Sequence, residues 1–164
     1  MNTALAESVS AQLLALAERG SDPIRIWIHS PGGHVEAGDT VFDVIRFICA
    51  PVRILGTGWV ASAAALIFAA AAPENRFALP NTRFLLHQPL GGAGGQASDV
   101  EIEARQILVM RERLNRIFAR ATGQTLEKIA RDTDRNYWMN AEEAQAYGLV
   151  GRILHSVAEL DTGA

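Results

Sequence analysis

The stretch Ile54-Leu55-Gly56-Thr57-Gly58-Trp59-Val60-Ala61-Ser62-Ala63-Ala64-Ala65-Leu66-Ile67-Phe68, continued by alanines to Ala72 and closed by Pro73, decides how the chain reads. Its first part is short, β-prone and punctuated by glycine; its second part is Ala-rich and helix-prone. Ser62 therefore stands where a buried strand turns into a buried helix. Only small residues flank it, so other backbone can approach closely. A helix N-terminus offers unpaired N–H groups to a developing negative charge. Such a position suits a nucleophile. It equally suits a helix-capping serine, and on this stretch alone both readings stay open.

Upstream, Leu5, Val9, Leu13 and Leu16 mark one face of a helix from about Thr3 to Arg19, with Gly20 as its stop. Ile24-Arg25-Ile26-Trp27-Ile28 alternates as a strand does. Ser30-Pro31-Gly32-Gly33 makes a tight turn that can leave backbone N–H groups aimed at a ligand. A helix from about Glu36 to Cys49 and a strand from Val52 to Gly56 complete a right-handed βαβ unit of a parallel sheet. Ligands of such sheets sit beyond the carboxyl ends of the strands, where the Gly-Gly turn and Ser62 both fall.

Downstream, Asn75 to Leu79 is a short segment, and Arg83-Phe84-Leu85-Leu86-His87 is a strand ending in histidine beside the glycine-rich loop Gly91 to Gln96. Ser98-Asp99-Val100-Glu101 reads as a capping box opening the longest helix, which Gly123 ends. The charged face of that helix reads by default as solvated, with i,i+4 pairs. A short helix over Leu126–Arg131, a polar connector Asp132–Asn136, a second capping box at Asn140/Glu143 and a strand over Leu149–Leu154 follow, with a frayed tail from Val157.

The 164 residues, 49% hydrophobic and 20% charged, describe a single globular domain spanning residues 1–164. A net charge of −3 without a basic cluster argues against a nucleic-acid partner. The lone Cys49 excludes an intrachain disulfide framework, points to the cytoplasm and reads as a buried structural thiol. No secretory signal is visible. Residues 54–72 are long and uncharged, but Gly and Thr interrupt them and alanine gains little in lipid, so a membrane span is rejected. His29, His34 and His155 have no metal-ligand spacing, and no Gly-Lys phosphate loop occurs. Neither a metal nor an organic cofactor is expected.

Ser62 as nucleophile, His87 as general base, and the N–H groups of Gly33 and Ala63 as oxyanion donors would make an acyl-transfer site. At these residues the sequence resembles ClpP, the proteolytic subunits of ATP-dependent Clp proteases. The resemblance rests on Ser30-Pro31-Gly32-Gly33, Gly58-Trp59-Val60-Ala61-Ser62-Ala63, Leu79-Pro80-Asn81-Thr82-Arg83, His87-Gln88-Pro89-Leu90-Gly91-Gly92, Gly95-Gln96-Ala97-Ser98-Asp99, Arg131-Asp132-Thr133-Asp134-Arg135 and Ala144-Gln145-Ala146-Tyr147-Gly148-Leu149-Val150. These agree in order and spacing from about Ala4 to Leu154.

The resemblance implies an α/β fold, a crotonase/ClpP-like ββα superhelix with a protruding strand–helix handle over about residues 83–122. It implies a serine endopeptidase that cleaves unfolded polypeptides through an acyl-enzyme. The active sites would lie inside a barrel of two stacked heptameric rings, as a homo-oligomer or in mixed rings with a paralogue. An AAA+ Clp ATPase would use the ATP. Asp134 and Arg135 match ring-to-ring contacts; Trp27, Phe47 and Leu154 match a hydrophobic pocket where an ATPase loop docks, although core packing also accounts for Trp27 and Phe47.

Two departures stand out. Asn136 occupies the position where the family usually has the triad aspartate. Its carbonyl can orient the histidine but cannot offset the imidazolium charge, so a Ser62–His87–Asn136 triad of low intrinsic activity is expected. Asp132 or Asp134 could orient the ring instead, although their place in the motif argues against it. The family's first strand and axial loop also have no counterpart ahead of the first helix. Both departures favour, as an alternative, a weakly active or structural subunit that assembles with an active paralogue. A crotonase-type acyl-CoA enzyme shares the fold and oxyanion hole, but no adenine-binding signal supports it.

Overall fold

A computed structural model describes residues 1–92 and 94–160. Its centre is β2 (Val52–Ala61), the strand predicted to end at Gly56. It runs on because it serves neighbours in relay. β1 (Ile24–Ser30) pairs with it in parallel from Ile24↔Val52 to Ile28↔Gly56, and after a register shift at Ser30↔Val60. On its other edge, residues 54–56 pair in parallel with β3 (Arg76–Ala78), and residues 59–61 with β4 (Arg83–Leu86). β5 (Tyr137–Met139) lies antiparallel to β4, and β6 (Arg152–Ile153) parallel to β3. One strand holding two successive neighbours on a single edge gives a curled sheet rather than a flat one.

α2 (Val35–Phe47) packs against both α1 (Thr3–Ala17) and α3 (Ala63–Phe68), and α3 is buried along its whole length. The alanine run does not extend α3. The chain tightens where Ala70 N–H donates to Ile67 O at 3.0 Å, and Pro73 lies just ahead. Small side chains let the other layers close on this segment: Ala64 and Ala65 are fully buried among Val60, Leu66, Phe68 and Phe84. α4 (Ala97–Thr122) buries only its C-terminal half, through Leu114, Asn115, Ile117, Phe118 and Thr122. It ends as expected on Gly123 at φ 73°. α5 (Leu126–Asp132) and α6 (Ala141–Ala146) follow, and the Asn140/Glu143 capping box is formed.

Several expectations are corrected. The Ser98 capping box does not form, because α4 begins at Ala97 with an extended Gln96 as its cap and Ser98 falls inside the first turn. Cys49 is exposed: α2 stops at Phe47 and Ile48 is extended, which turns Cys49 off the apolar face. The last strand shortens to Arg152–Ile153. The tail is not frayed at Val157, since Val157–Leu160 forms a 3₁₀ turn whose Leu160 packs with Leu55, Phe77 and Leu154. Arg53 Nη1 and Arg152 Nη2 hold that turn by donating to Leu160 O at 3.0 Å and Glu159 O at 2.8 Å.

Candidate active site

Ser62 is the one non-glycine among the described residues with positive φ (φ 57°, ψ −124°). An L-residue held in this region is strained by about 1–3 kcal/mol and stays there because its surroundings dictate it. Two contacts do so. Ser62 N–H donates to Leu85 O (2.9 Å), and Leu66 N–H donates to Ser62 O (3.2 Å). The side chain makes no capping bond to α3. The capping alternative is therefore excluded, and the sharp strand-to-helix turn leaves the hydroxyl uncommitted to the helix.

The Gly-Gly turn closes on this elbow. Gly32 is buried at φ 100°, and a Cβ there would stand 2.7 Å from Ala61 O, 2.7 Å from Ser62 Cβ and 3.1 Å from Ala63 N. Only glycine permits that approach. Ala63 opens α3, so its N–H is one of the helix's donors without an intrahelical partner. Gly33 follows at φ 142° beneath the backbone of Met1. Met1 O accepts from His34 N–H at 3.1 Å, and Met1 N donates to Gly32 O.

His87 lies one residue past β4 and lines the same crevice as Ser62, Ala63, Val35, Leu86 and Pro89. The crevice holds about 20 Å³, room for little more than one water. A roomier cleft of about 540 Å³ along α4 carries only Glu112, Arg113, Arg116 and Arg120 as charged groups and no nucleophile. Size is therefore a poor guide to the chemistry in this chain. His87 Nδ1 lies 2.7 Å from Gln88 O. A carbonyl only accepts, so Nδ1 is the donor in this contact, and in the neutral ring that tautomer leaves the Nε2 lone pair for the base.

That carbonyl is itself held. Gln88 N–H donates to Thr133 O and Gln88 Nε2 to Asp134 O, each at 2.6 Å. Thr133, fully buried, keeps its hydroxyl 3.0 Å from Asn115 Oδ1 and 2.8 Å from Ile129 O. Sequence reasoning missed this clamp. Gln88 and Thr133 lie within motifs that carry the family resemblance, yet nothing in their spacing says that backbone carbonyls far downstream hold the histidine's neighbour.

A family model described as Clp protease matches residues 1–157. The chain belongs to the Clp protease family. It is 63% identical over 98% of its length to ATP-dependent Clp protease proteolytic subunit 2 of Gluconobacter oxydans (strain 621H), covering 73% of that protein. It is 62% identical over 95% of its length to proteolytic subunit 3 of Rhizobium meliloti (strain 1021), covering 80% of it. Among solved structures, a mutant ClpP1 from Listeria monocytogenes superposes with a TM-score of 0.92 at 52% identity, over 98% of this chain and 90% of that one. The Clp protease fold, a mixed α/β architecture on a curled sheet, is thus the fold of this chain, and the chain is a serine-type Clp peptidase subunit.

The remaining residues singled out from the sequence fall as follows. The antiparallel pairing of β4 with β5 ends at Leu86↔Tyr137, with His87 just past β4 and Asn136 just ahead of β5; beyond it the register breaks, since Gln88 N–H donates to Thr133 O. Asn136 is exposed, and the nitrogen it was expected to orient is engaged by Gln88 O. Asp132 is turned elsewhere, to Lys128 Nζ (2.6 Å) and Tyr147 Oη (2.9 Å). Burial opposes ionisation of Asp132, but these hydrogen bonds and the nearby Lys128 and Arg131 charges outweigh it and lower its pKa. Asp134 pairs with Arg111 of α4 at 2.9 Å, and Arg135 is exposed. Trp27 and Phe47 are 59% and 80% exposed, which rules out core packing, whereas Leu154 is 1% exposed and packs with Leu55, Phe77 and Leu160. Among the described residues no group of side chains suits a metal ion, and no helix is long and apolar enough to cross a membrane.

Proposed function

We propose that this Clp peptidase subunit cleaves unfolded polypeptides through an acyl-enzyme on Ser62. The observation that carries the reading is the strained Ser62 backbone, uncapped and sharing one crevice with His87. His87 Nε2 takes the Ser62 proton as Oγ attacks the peptide carbonyl. The oxyanion is received by the N–H groups of Ala63 and Gly33. The imidazolium then protonates the leaving amine, the C–N bond breaks, and water enters with His87 again as base to release the acid and restore Ser62. Gln88 O fixes the tautomer, and Asn136, just ahead of β5, supplies a neutral dipole where a carboxylate would supply charge. No cofactor enters these steps.

The assembly we propose is a cytoplasmic barrel of two stacked heptameric rings. The handle, residues 83–122, joins the rings, with Asp134 and Arg135 at the contact. Exposed Ile102, Leu108 and Val109 on α4 support an apolar contact there. Trp27 and Phe47 are proposed as the surface on which an AAA+ ATPase docks, the ATP being hydrolysed by that partner. A pull-down showing no ATP-dependent capture, or capture unchanged in Trp27→Ala/Phe47→Ala, would sink the docking proposal.

The test of the catalytic reading is intact-mass spectrometry after treatment with a fluorophosphonate probe. One adduct on the wild type and none on Ser62→Ala is expected; equal labelling of both removes Ser62 from the mechanism. The narrow crevice and Asn136 favour a second reading, a subunit that becomes competent only in mixed rings with an active paralogue. Labelling of Ser62 that requires the added paralogue, with two subunit types in the native mass spectrum, would select it.

A further inference from the structure

Away from Ser62, the described residues hold one buried cation that the chain leaves incompletely paired. Arg76 opens β3 and is 1% exposed. Its Nη2 donates to Ala121 O in the last turn of α4 at 2.6 Å, while Nε and Nη1 are buried with no acceptor. Burial pulls the guanidinium down to about 10, and Glu74 acts in the opposite direction without an ion pair to Arg76 among the described residues. A buried charge with unmet donors is costly and calls for an acceptor from outside the chain's own contacts.

Arg76 forms part of the wall of a cleft of about 400 Å³ between α2, the segment after α3 and the C-terminal end of α4. Arg46 of α2 and Arg120 of α4 line the same cleft. The rest of the lining is apolar, and no carboxylate contributes to it. Arg120 is engaged among the described residues only through Nε, to Arg116 O at 3.3 Å. The C-terminal dipole of α4 would repel an anion, but Arg76 already donates to the Ala121 carbonyl there and offsets it.

We propose that this cleft binds an oxyanion of the phosphate class, held by Arg46, Arg76 and Arg120. Three guanidinium groups from three separate elements, with no acid among them, match a dianion with several acceptor oxygens better than a single carboxylate. The site is separate from the Ser62 crevice and is independent of the peptidase mechanism.

The experiment is titration of the assembled protein with inorganic phosphate by calorimetry at constant ionic strength, with thermal unfolding followed in parallel. Saturable binding of one phosphate per chain is expected, with a melting temperature that rises with phosphate but not with matched sodium chloride. The double variant Arg46→Ala/Arg120→Ala should weaken phosphate by about tenfold or more, leaving the phosphate-free melting temperature and peptide turnover unchanged. This variant carries the test because replacing buried Arg76 also alters the core. Absence of saturable binding, or equal binding by the double variant, overturns the proposal. So does loss of assembly in the double variant with no phosphate binding by the wild type, which would assign the acceptor to a carboxylate of a neighbouring copy.

Discussion

Asn136→Asp isolates the charge part of the mechanism. In a serine protease whose triad aspartate is buried, the reverse change costs about ten-thousand-fold in turnover, much of it through the wrong histidine tautomer. Here the tautomer is not at stake, because Gln88 O already holds Nδ1–H at 2.7 Å. What the introduced carboxylate would add is attraction to the imidazolium. An opposite charge acts on a titrating group when it lies within about 4–6 Å of it. Two unit charges at that spacing attract by about 1 kcal/mol in water and about 3 kcal/mol at an effective dielectric of 20. Asn136 is exposed, so the lower half of that range applies. We expect kcat/KM for a fluorogenic peptide to rise roughly 5- to 30-fold, equivalent to about 1–2 kcal/mol. The gain should shrink with added salt, as an exposed charge pair requires. Unchanged or lower kcat/KM, with the oligomer intact by native mass spectrometry, would refute the argument that missing charge at position 136 limits the rate.

Gly32→Ala should abolish probe labelling of Ser62 and destabilise the fold by about 2–3 kcal/mol in thermal unfolding, since the new Cβ meets Ala61 O and Ser62 Cβ at 2.7 Å at a φ of 100°; labelling at the wild-type rate would contradict the tight turn-to-elbow packing. Two other glycines separate strain from collision. Gly123→Ala has open space at φ 73° and should cost about 1 kcal/mol, whereas Gly148→Ala drives its Cβ into the Thr122 carbonyl and should cost several-fold more in chemical denaturation. Asp132 has a lowered pKa, so its contribution is present above the unfolded carboxylate value and is lost as pH falls through the folded one. Asp132→Asn should therefore lower stability at neutral pH and flatten the acid limb of the stability–pH curve; a parallel curve would show that the Lys128–Asp132–Tyr147 cluster contributes nothing.

The comparison of sequence with structure is most informative at Ser62. The change from β-prone to Ala-rich residues marked a turn from strand to helix, and small neighbours marked close packing. Whether the serine capped that helix depended on one backbone angle, set by Leu85 O on a strand more than twenty residues away. His87 was legible as a strand-end histidine beside a glycine-rich loop. Its actual partner was not, because a backbone carbonyl leaves no mark in side-chain identity. The misplaced Ser98 cap and the exposed Cys49 share one cause: helix ends shift by two residues, and each shift turns a side chain to another face.

By itself the sequence determined the βαβ start, the parallel pairing of β1 with β2, the buried alanine segment and, through motifs agreeing in order and spacing, the peptidase family. These follow from local periodicity and from residue types that one chemistry requires. Tertiary structure alone decided the rest. It extended β2 to serve two strands on one edge, strained Ser62 out of its capping role and tied His87 to Gln88. It also left the Arg76 donors without acceptors. Each of these depends on contacts between segments far apart in the chain, and their geometry is set by packing rather than by the residues' own preferences.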